Sequence, residues 1–106
     1  MSRKKAKAPS YTGMWDDPLD PIAITIEEIA NGKRPVLLVV HYDGPGGWQF
    51  LDGSDLSEQC PHVMPKEELL KVYPELARLT DLPVGWQAQR KSQKGKWTRS
   101  KVANDA

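Results

Sequence analysis

The sequence has little cysteine and no long hydrophobic run, and each shortage narrows what the protein can be. Cys60 is the one cysteine among 106 residues, which excludes an intrachain disulfide and favours a reducing compartment. The longest apolar run, VLLVV at 36–40, is the size of a strand and far below the ~20 residues of a membrane span. The basic start MSRKKAKAPS has no apolar segment behind it. We therefore expect no secretory signal, no membrane partner and a cytoplasmic protein.

The patterns of metal sites and phosphate sites are missing as well. Zinc modules carry two paired motifs, whereas Cys60-Pro61-His62 stands alone. The stretch DGPGGWQFLDGSD at 43–55 lacks the carboxylate alternation and the closing glutamate of a calcium loop. The GPGG at 44–47 lacks the Gly-Lys-Ser/Thr ending of a phosphate-binding loop. We therefore expect no metal and no cofactor.

A catalytic set is equally hard to assemble from this sequence. The candidates are a Cys60 dyad with His41 or His62, and Asp43 with Asp52 as general acid and base. Nothing local brings the cysteine to either histidine, and aspartates beside glycine ordinarily accept backbone hydrogen bonds in turns. The sequence thus predicts a turn here and no enzymatic activity. A small hydrolase or metal enzyme ranks third among the possible functions.

The net charge is only +1, but the charges are segregated along the chain. Residues 1–8 carry four basic side chains, and residues 90–106 carry six against Asp105 alone. Between them, residues 9–89 hold five basic and 13 acidic side chains. The sequence therefore predicts an acidic body with basic ends.

We divide the chain into three regions. Residues 1–20 lack apolar periodicity and contain basic residues and prolines, so we expect a disordered arm, of which Met14 and Trp15 could dock on the domain. Residues 21–100 are expected to form a single α+β domain. Residues 101–106 are expected to be a flexible tail.

The first half of the domain predicts a helix and a hairpin. Thr25-Ile26-Glu27-Glu28 matches a capping box and predicts a short helix that ends at Asn31-Gly32. The apolar run predicts a central strand over 36–42, and the glycine-rich turn after it predicts a hairpin with a second strand over 48–51.

The second half predicts short elements of both kinds. We expect a short strand at 63–64, then a helix that opens at Pro65 and is broken near Pro74. Strands over 84–90 and 97–99 follow, with Gly85 as a point of close packing. The predicted fold class is α+β, a small, mostly antiparallel sheet with two or three short helices.

A set of glycine, proline and tryptophan landmarks occurs in order over about residues 36–99. They are Gly47-Trp48-Gln49-Phe50-Leu51-Asp52-Gly53, then Tyr73-Pro74-Glu75-Leu76, then Leu82-Pro83-Val84-Gly85-Trp86-Gln87-Ala88-Gln89-Arg90, and finally Trp97. This order resembles a family of small bacterial domains of unknown function, one branch of which is assigned to immunity proteins that neutralise toxins. The resemblance implies a bacterial protein and no catalytic residues.

The leading hypothesis is a non-enzymatic protein-interaction domain that binds a basic partner protein and is immunity-like. An acidic body attracts a basic surface, and a few aromatic residues carry most of the affinity in such interfaces. The candidate partner-binding residues are three acidic side chains and whichever of three tryptophans are exposed: Asp52, Asp55, Glu58, Trp48, Trp86 and Trp97.

The alternative is a nucleic-acid-associated accessory protein that binds through its basic termini. The segment 90–99 interleaves basic residues with Trp97, and such a patch can hold phosphates by charge and stack a base on the indole. The candidate residues are Arg90, Lys91, Lys94, Lys96 and Arg99.

Overall fold

The computed structural model describes residues 13–44, 46–53 and 61–102. Within them the strands are β1 (Ile22–Ile26), β2 (Leu38–His41), β3 (Trp48–Leu51), β4 (Pro61–Pro65), β5 (Trp86–Gln89) and β6 (Thr98–Lys101). The helices are α1 (Glu27–Ala30), α2 (Lys66–Val72) and a 3-10 helix (Pro74–Leu79). The predicted α+β class is confirmed. The arm over 1–12 and the end of the tail over 103–106 lie outside the described residues.

The six described strands form one mixed sheet in the order β4-β1-β3-β2-β5-β6. In this part of the chain four pairings are antiparallel, and only β1 with β3 is parallel, where Ile24 faces Gln49. The chain reverses direction once between β1 and β2 and again in the β2–β3 hairpin, so β3 regains the direction of β1. The prediction of a mostly antiparallel sheet is confirmed.

The β2–β3 hairpin confirms that the glycine-rich stretch is a turn. A Cβ on Gly47 would lie 2.1 Å from the carbonyl oxygen of Tyr42, so no other residue fits there without a shift of the backbone. Gly44 and Gly46 have φ angles of +90° and +78°, which favour glycine. β2 lies between β3 and β5, as predicted for a central strand, although it is shorter than expected. Pro45 lies outside the described residues.

The predicted capping box at Thr25 is wrong. Thr25 lies in β1, and its buried hydroxyl donates to the carbonyl oxygen of Phe50 in the neighbouring strand. α1 begins only at Glu27, after Ile26, and has no side-chain cap. The β-branched run of 22–26 favours a strand, and tertiary pairing overrides the local helix signal.

Two further predictions concern the second half of the domain. α2 ends before Tyr73, and Pro74 opens the 3-10 helix, so the predicted break is confirmed. The predicted close packing at Gly85 is wrong, because nothing lies within 4 Å of the position of a Cβ there. Its φ of +85° is the reason for a glycine at this turn.

The hydrophobic core joins the helices to the sheet. Its fully or almost fully buried members include Ile29, Leu69, Leu76 and Leu79 from the helical segments and Val39, Trp48, Phe50 and Ala88 from the strands. Burial of each large apolar side chain contributes about 1.5–3 kcal/mol. Within the described residues no helix is long and apolar enough to cross a membrane, and α2 has seven residues.

Candidate functional site

The strongest charge feature of the described chain is the hairpin formed by β5, β6 and the turn between them. This basic hairpin, residues 86–101, carries six basic side chains and no acidic one. Four of them are exposed and form no ion pair with any described residue: Lys91, Lys94, Lys96 and Lys101. Glu75 and Asp81 therefore neutralise only two of its six charges, those of Arg90 and Arg99.

The basic hairpin and the 3-10 helix enclose a groove of about 780 Å³. We call it the basic groove, and its wall includes Arg78, Lys94, Lys96, Trp97 and Arg99. Four of the five predicted nucleic-acid-binding cations, all but Lys91, thus line one concavity with the predicted indole, and Glu75 lies in the same wall. Sequence reasoning missed Arg78, because only the tertiary contact between the 3-10 helix and the hairpin brings it there.

Arg90 is a buried member of the groove wall. Its side chain is 3% exposed and donates to the carbonyl oxygens of Val36 at 2.9 Å and Gln93 at 2.8 Å. It also pairs with Glu75 at 3.1 Å, and its guanidinium lies 4.3 Å from the ring centre of Trp97. Arg90 is therefore not accessible to a phosphate, contrary to its place among the candidates. It holds the indole of Trp97 in position instead.

Arg99 is held at the edge of the basic groove by two hydrogen bonds. It donates to the carboxylate of Asp81 at 2.8 Å and to the carbonyl oxygen of Arg78 at 2.9 Å. The hydrogen bond from Arg99 and its charge lower the pKa of Asp81. Both side chains are solvent-exposed, so the pair contributes little to stability but orients the guanidinium.

The predicted partner-binding tryptophans differ in exposure. Trp48 is fully buried and stacks on His41 with ring centres 3.8 Å apart, so it is a core residue and cannot contact a partner. Trp86 and Trp97 are half-buried against the core. Trp97 alone of these three lines the basic groove.

The predicted acidic cluster is not assembled within the described residues. The Asp52 side chain is only 10% exposed and accepts a 2.7 Å hydrogen bond from Arg34. Asp55 and Glu58 lie outside the described residues. The acidic surface that the described chain does present is elsewhere.

That surface is a cleft of about 280 Å³ beside the N-terminal segment, which we call the acidic cleft. Its wall includes Trp15, Asp16, Asp17, Lys66 and Glu67. Asp16 and Glu67 are exposed at its rim, whereas Asp17 is buried. The sequence indicates that Trp15 docks on the domain but does not indicate the cleft, because the two sides of the cleft are about fifty residues apart in the chain.

Lys66 forms the floor of the acidic cleft. It is 3% exposed, donates to the carbonyl oxygen of Trp15 at 2.8 Å, and lies 5.0 Å from the ring centre of that tryptophan and 5.6 Å from that of Trp48. Burial lowers the pKa of its ammonium group, while the charges of Asp20 and Asp17 oppose that shift. The interaction ties the segment before β1 to the domain.

The two histidines lie in different environments. His41 is fully buried, its Nδ1–H donates to the carbonyl oxygen of Leu82 at 2.7 Å, and burial lowers its pKa. His62 lies on the exposed edge strand β4. Among the described residues no group of three or more histidine, cysteine or acidic side chains could hold a metal ion. Cys60 lies outside them.

No family model, no curated protein and no solved structure matches this chain. Its function therefore has to be inferred from its own surface chemistry.

Proposed function

We propose that this chain is a non-enzymatic interaction domain and that the basic hairpin binds an anionic macromolecule. The observation that supports this most strongly is the set of four exposed lysines without an ion pair among the described residues. Like charges crowded on one hairpin repel one another and disfavour folding. A partner of opposite sign removes that repulsion and is attracted from a distance. A cytoplasmic setting is part of the proposal.

The proposal is tested by a variant that removes charge without removing bulk. Lys94→Gln with Lys96→Gln takes two charges from the basic groove, and Lys33→Gln with Lys71→Gln takes two exposed charges from elsewhere. Binding to a labelled ~12-nucleotide oligo-thymidylate and to poly-glutamate is followed by fluorescence anisotropy between ~50 and ~200 mM salt. We expect the groove variant to lower the salt slope for the single strand by about 1.4, and the control to change it far less.

Two results would contradict the proposal. One is that the unmodified protein binds neither polyanion at the lowest salt concentration. The other is that both charge variants weaken binding equally, since net charge alone would then account for the effect.

A second candidate function is binding of a basic partner protein, the leading hypothesis from the sequence. The observation that favours it is the acidic cleft, where Asp16 and Glu67 are exposed beside Trp15. An immunity-like role, which the family resemblance implies, would be of this kind. A tagged pull-down from the native host with nuclease separates the two. A retained protein that Asp16→Asn with Glu67→Gln releases supports the acidic cleft, and one that only the lysine variant releases supports the basic hairpin.

A further inference from the structure

We infer that the basic groove takes single-stranded nucleic acid, with one base stacked on Trp97 and the adjacent phosphates held by Arg78, Lys94, Lys96 and Arg99. The inference deepens the proposed function and rests on it, because it names the class of anion. It depends on the groove alone and requires nothing of the N-terminal arm.

The indole ring of Trp97 is held in a fixed position. Trp97 lies against Arg90, whose guanidinium has hydrogen-bond partners in Val36, Gln93 and Glu75. Because Arg90 is anchored at three points, the ring beside it loses little additional freedom when a ligand binds. Aromatic side chains held in this way are the platforms on which single-stranded nucleic acids stack their bases.

Positive charge lies around the ring. Four exposed cations line the same groove as the indole, two from the hairpin turn, one from β6 and one from the 3-10 helix: Lys94, Lys96, Arg99 and Arg78. Glu75 also lies in the wall, but its carboxylate is paired with the buried Arg90. The phosphates on either side of a stacked base can therefore reach a cation. A groove of about 780 Å³ is in the size range of ligand sites and has room for a nucleotide unit.

An accessible base distinguishes single strands from the other polyanions. In a duplex the faces of the bases are covered by their neighbours, and turning one out costs a few kcal/mol. A duplex can therefore offer the groove its phosphates but not a base for Trp97. An acidic protein segment offers carboxylates but no comparable planar ring. Only a single strand uses both the cations and the indole.

The test compares Trp97→Leu and Trp97→Phe, with Trp86→Phe as a control on the same hairpin that does not line the groove. Each is titrated with a ~12-nucleotide oligo-thymidylate, the matching duplex and poly-glutamate at one salt concentration. We expect Trp97→Leu to weaken single-strand binding roughly fivefold to a hundredfold and to leave the other two ligands within about twofold. Trp97→Phe should retain most of the affinity, and thermal unfolding of each variant checks that the fold persists.

The outcomes separate the inference from the proposed function. Equal binding of single strand, duplex and poly-glutamate, all unaffected by Trp97→Leu, would overturn the inference and leave an anion-binding domain. A Trp97→Leu variant that weakens all three ligands equally would overturn it too. Failure of the unmodified protein to bind any of them would remove the proposed function as well. If Trp97→Leu does not fold, Trp97→Phe and Trp86→Phe decide: a small loss of single-strand affinity in the Trp97 variant that the Trp86 variant does not show supports stacking, and equal affinities of the two overturn it.

Discussion

Trp15 and Trp97 each pack against a buried cation, but their exposed neighbours differ in charge. Each indole lies against a nearly buried cation, Lys66 at 5.0 Å and Arg90 at 4.3 Å from the ring centre. In the acidic cleft the exposed charged neighbours of Trp15 are Asp16 and Glu67, with Lys71 on the other side of the ring, and in the basic groove the exposed charged neighbours of Trp97 are basic. The buried cation therefore fixes the ring in both places and does not decide what the surface attracts. The exposed side chains at the rim determine which charge the surface attracts.

The two arrangements also differ in how they tie the chain together. Arg90 and Trp97 lie on one hairpin, seven residues apart. Lys66 and Trp15 are 51 residues apart, and their hydrogen bond joins the segment before β1 to α2. The basic groove still needs the 3-10 helix as its second wall, about twenty residues before the hairpin, whereas the acidic cleft joins parts of the chain 51 residues apart.

The largest expected effect comes from removing the cation beneath Trp97. Arg90→Met leaves the partly exposed carboxylate of Glu75 and two carbonyl oxygens without their donor. A hydrogen bond to a charged group is worth about 1.5–3 kcal/mol, so we expect the loss of all three to lower the unfolding free energy by about 3–5 kcal/mol. Urea unfolding measures it, with the exposed Lys91→Met as the control. A loss as small as that of the control would mean that the guanidinium does not support the groove.

Removing the cation beneath Trp15 should cost less, because within the described residues the lysine donates one hydrogen bond and the arginine three. Lys66→Met keeps the apolar contact with both indoles but loses the bond to the Trp15 carbonyl, which is worth about 1.5–3 kcal/mol. Lys71→Met is the matched control on the exposed side of α2. Protease sensitivity of the segment before β1 should increase in the Lys66 variant alone. Unchanged sensitivity would show that Trp15 is held without the ammonium group.

The smallest expected effect is on the pH dependence of stability. Lys66 loses its proton within the accessible pH range, whereas Arg90 stays charged, so only the lysine contributes such a dependence. The pKa of Lys66 is lower in the folded protein than its ordinary value of 10.5. Between those two values the unfolded chain binds more protons, so stability rises with pH across this window. Lys66→Met should abolish that rise in urea midpoints, and the Lys71 control should keep it.

Measurements should stop near pH 10, because the raised pKa of Tyr73 makes stability fall as the unfolded chain begins to lose that proton. A rise that persists in the Lys66 variant would assign it to another group.

The sequence predicts those parts of the fold that depend on local chemistry. The glycines at 44–47 produce the β2–β3 hairpin, and Pro74 separates two helical segments, because each acts on the backbone beside it. The strand β1 was missed since Thr25 and Glu28 carry a helix-start pattern that only pairing with β3 and β4 overrides.

The candidate site divides in the same way. The basic character of the hairpin and the presence of Trp97 in it are visible in ten consecutive residues, 90–99. The burial of Arg90 depends on Glu75 and on the carbonyl of Val36, which are distant in the sequence. From the sequence, Lys66 is expected to be an exposed residue in the first turn of a helix. No neighbouring residue indicates that it lies between two tryptophans.

The edges of the described sheet have a consequence for self-association. Unpaired edge strands are templates for aggregation, and this sheet protects its two edges by different means. β4 begins and ends with proline, which lacks the N–H that a ladder needs. β6 relies on Arg99 and Lys101, so repulsion keeps two copies apart. A bound polyanion would cancel that repulsion, and we therefore expect the loaded protein to assemble through β6 more readily than the free protein.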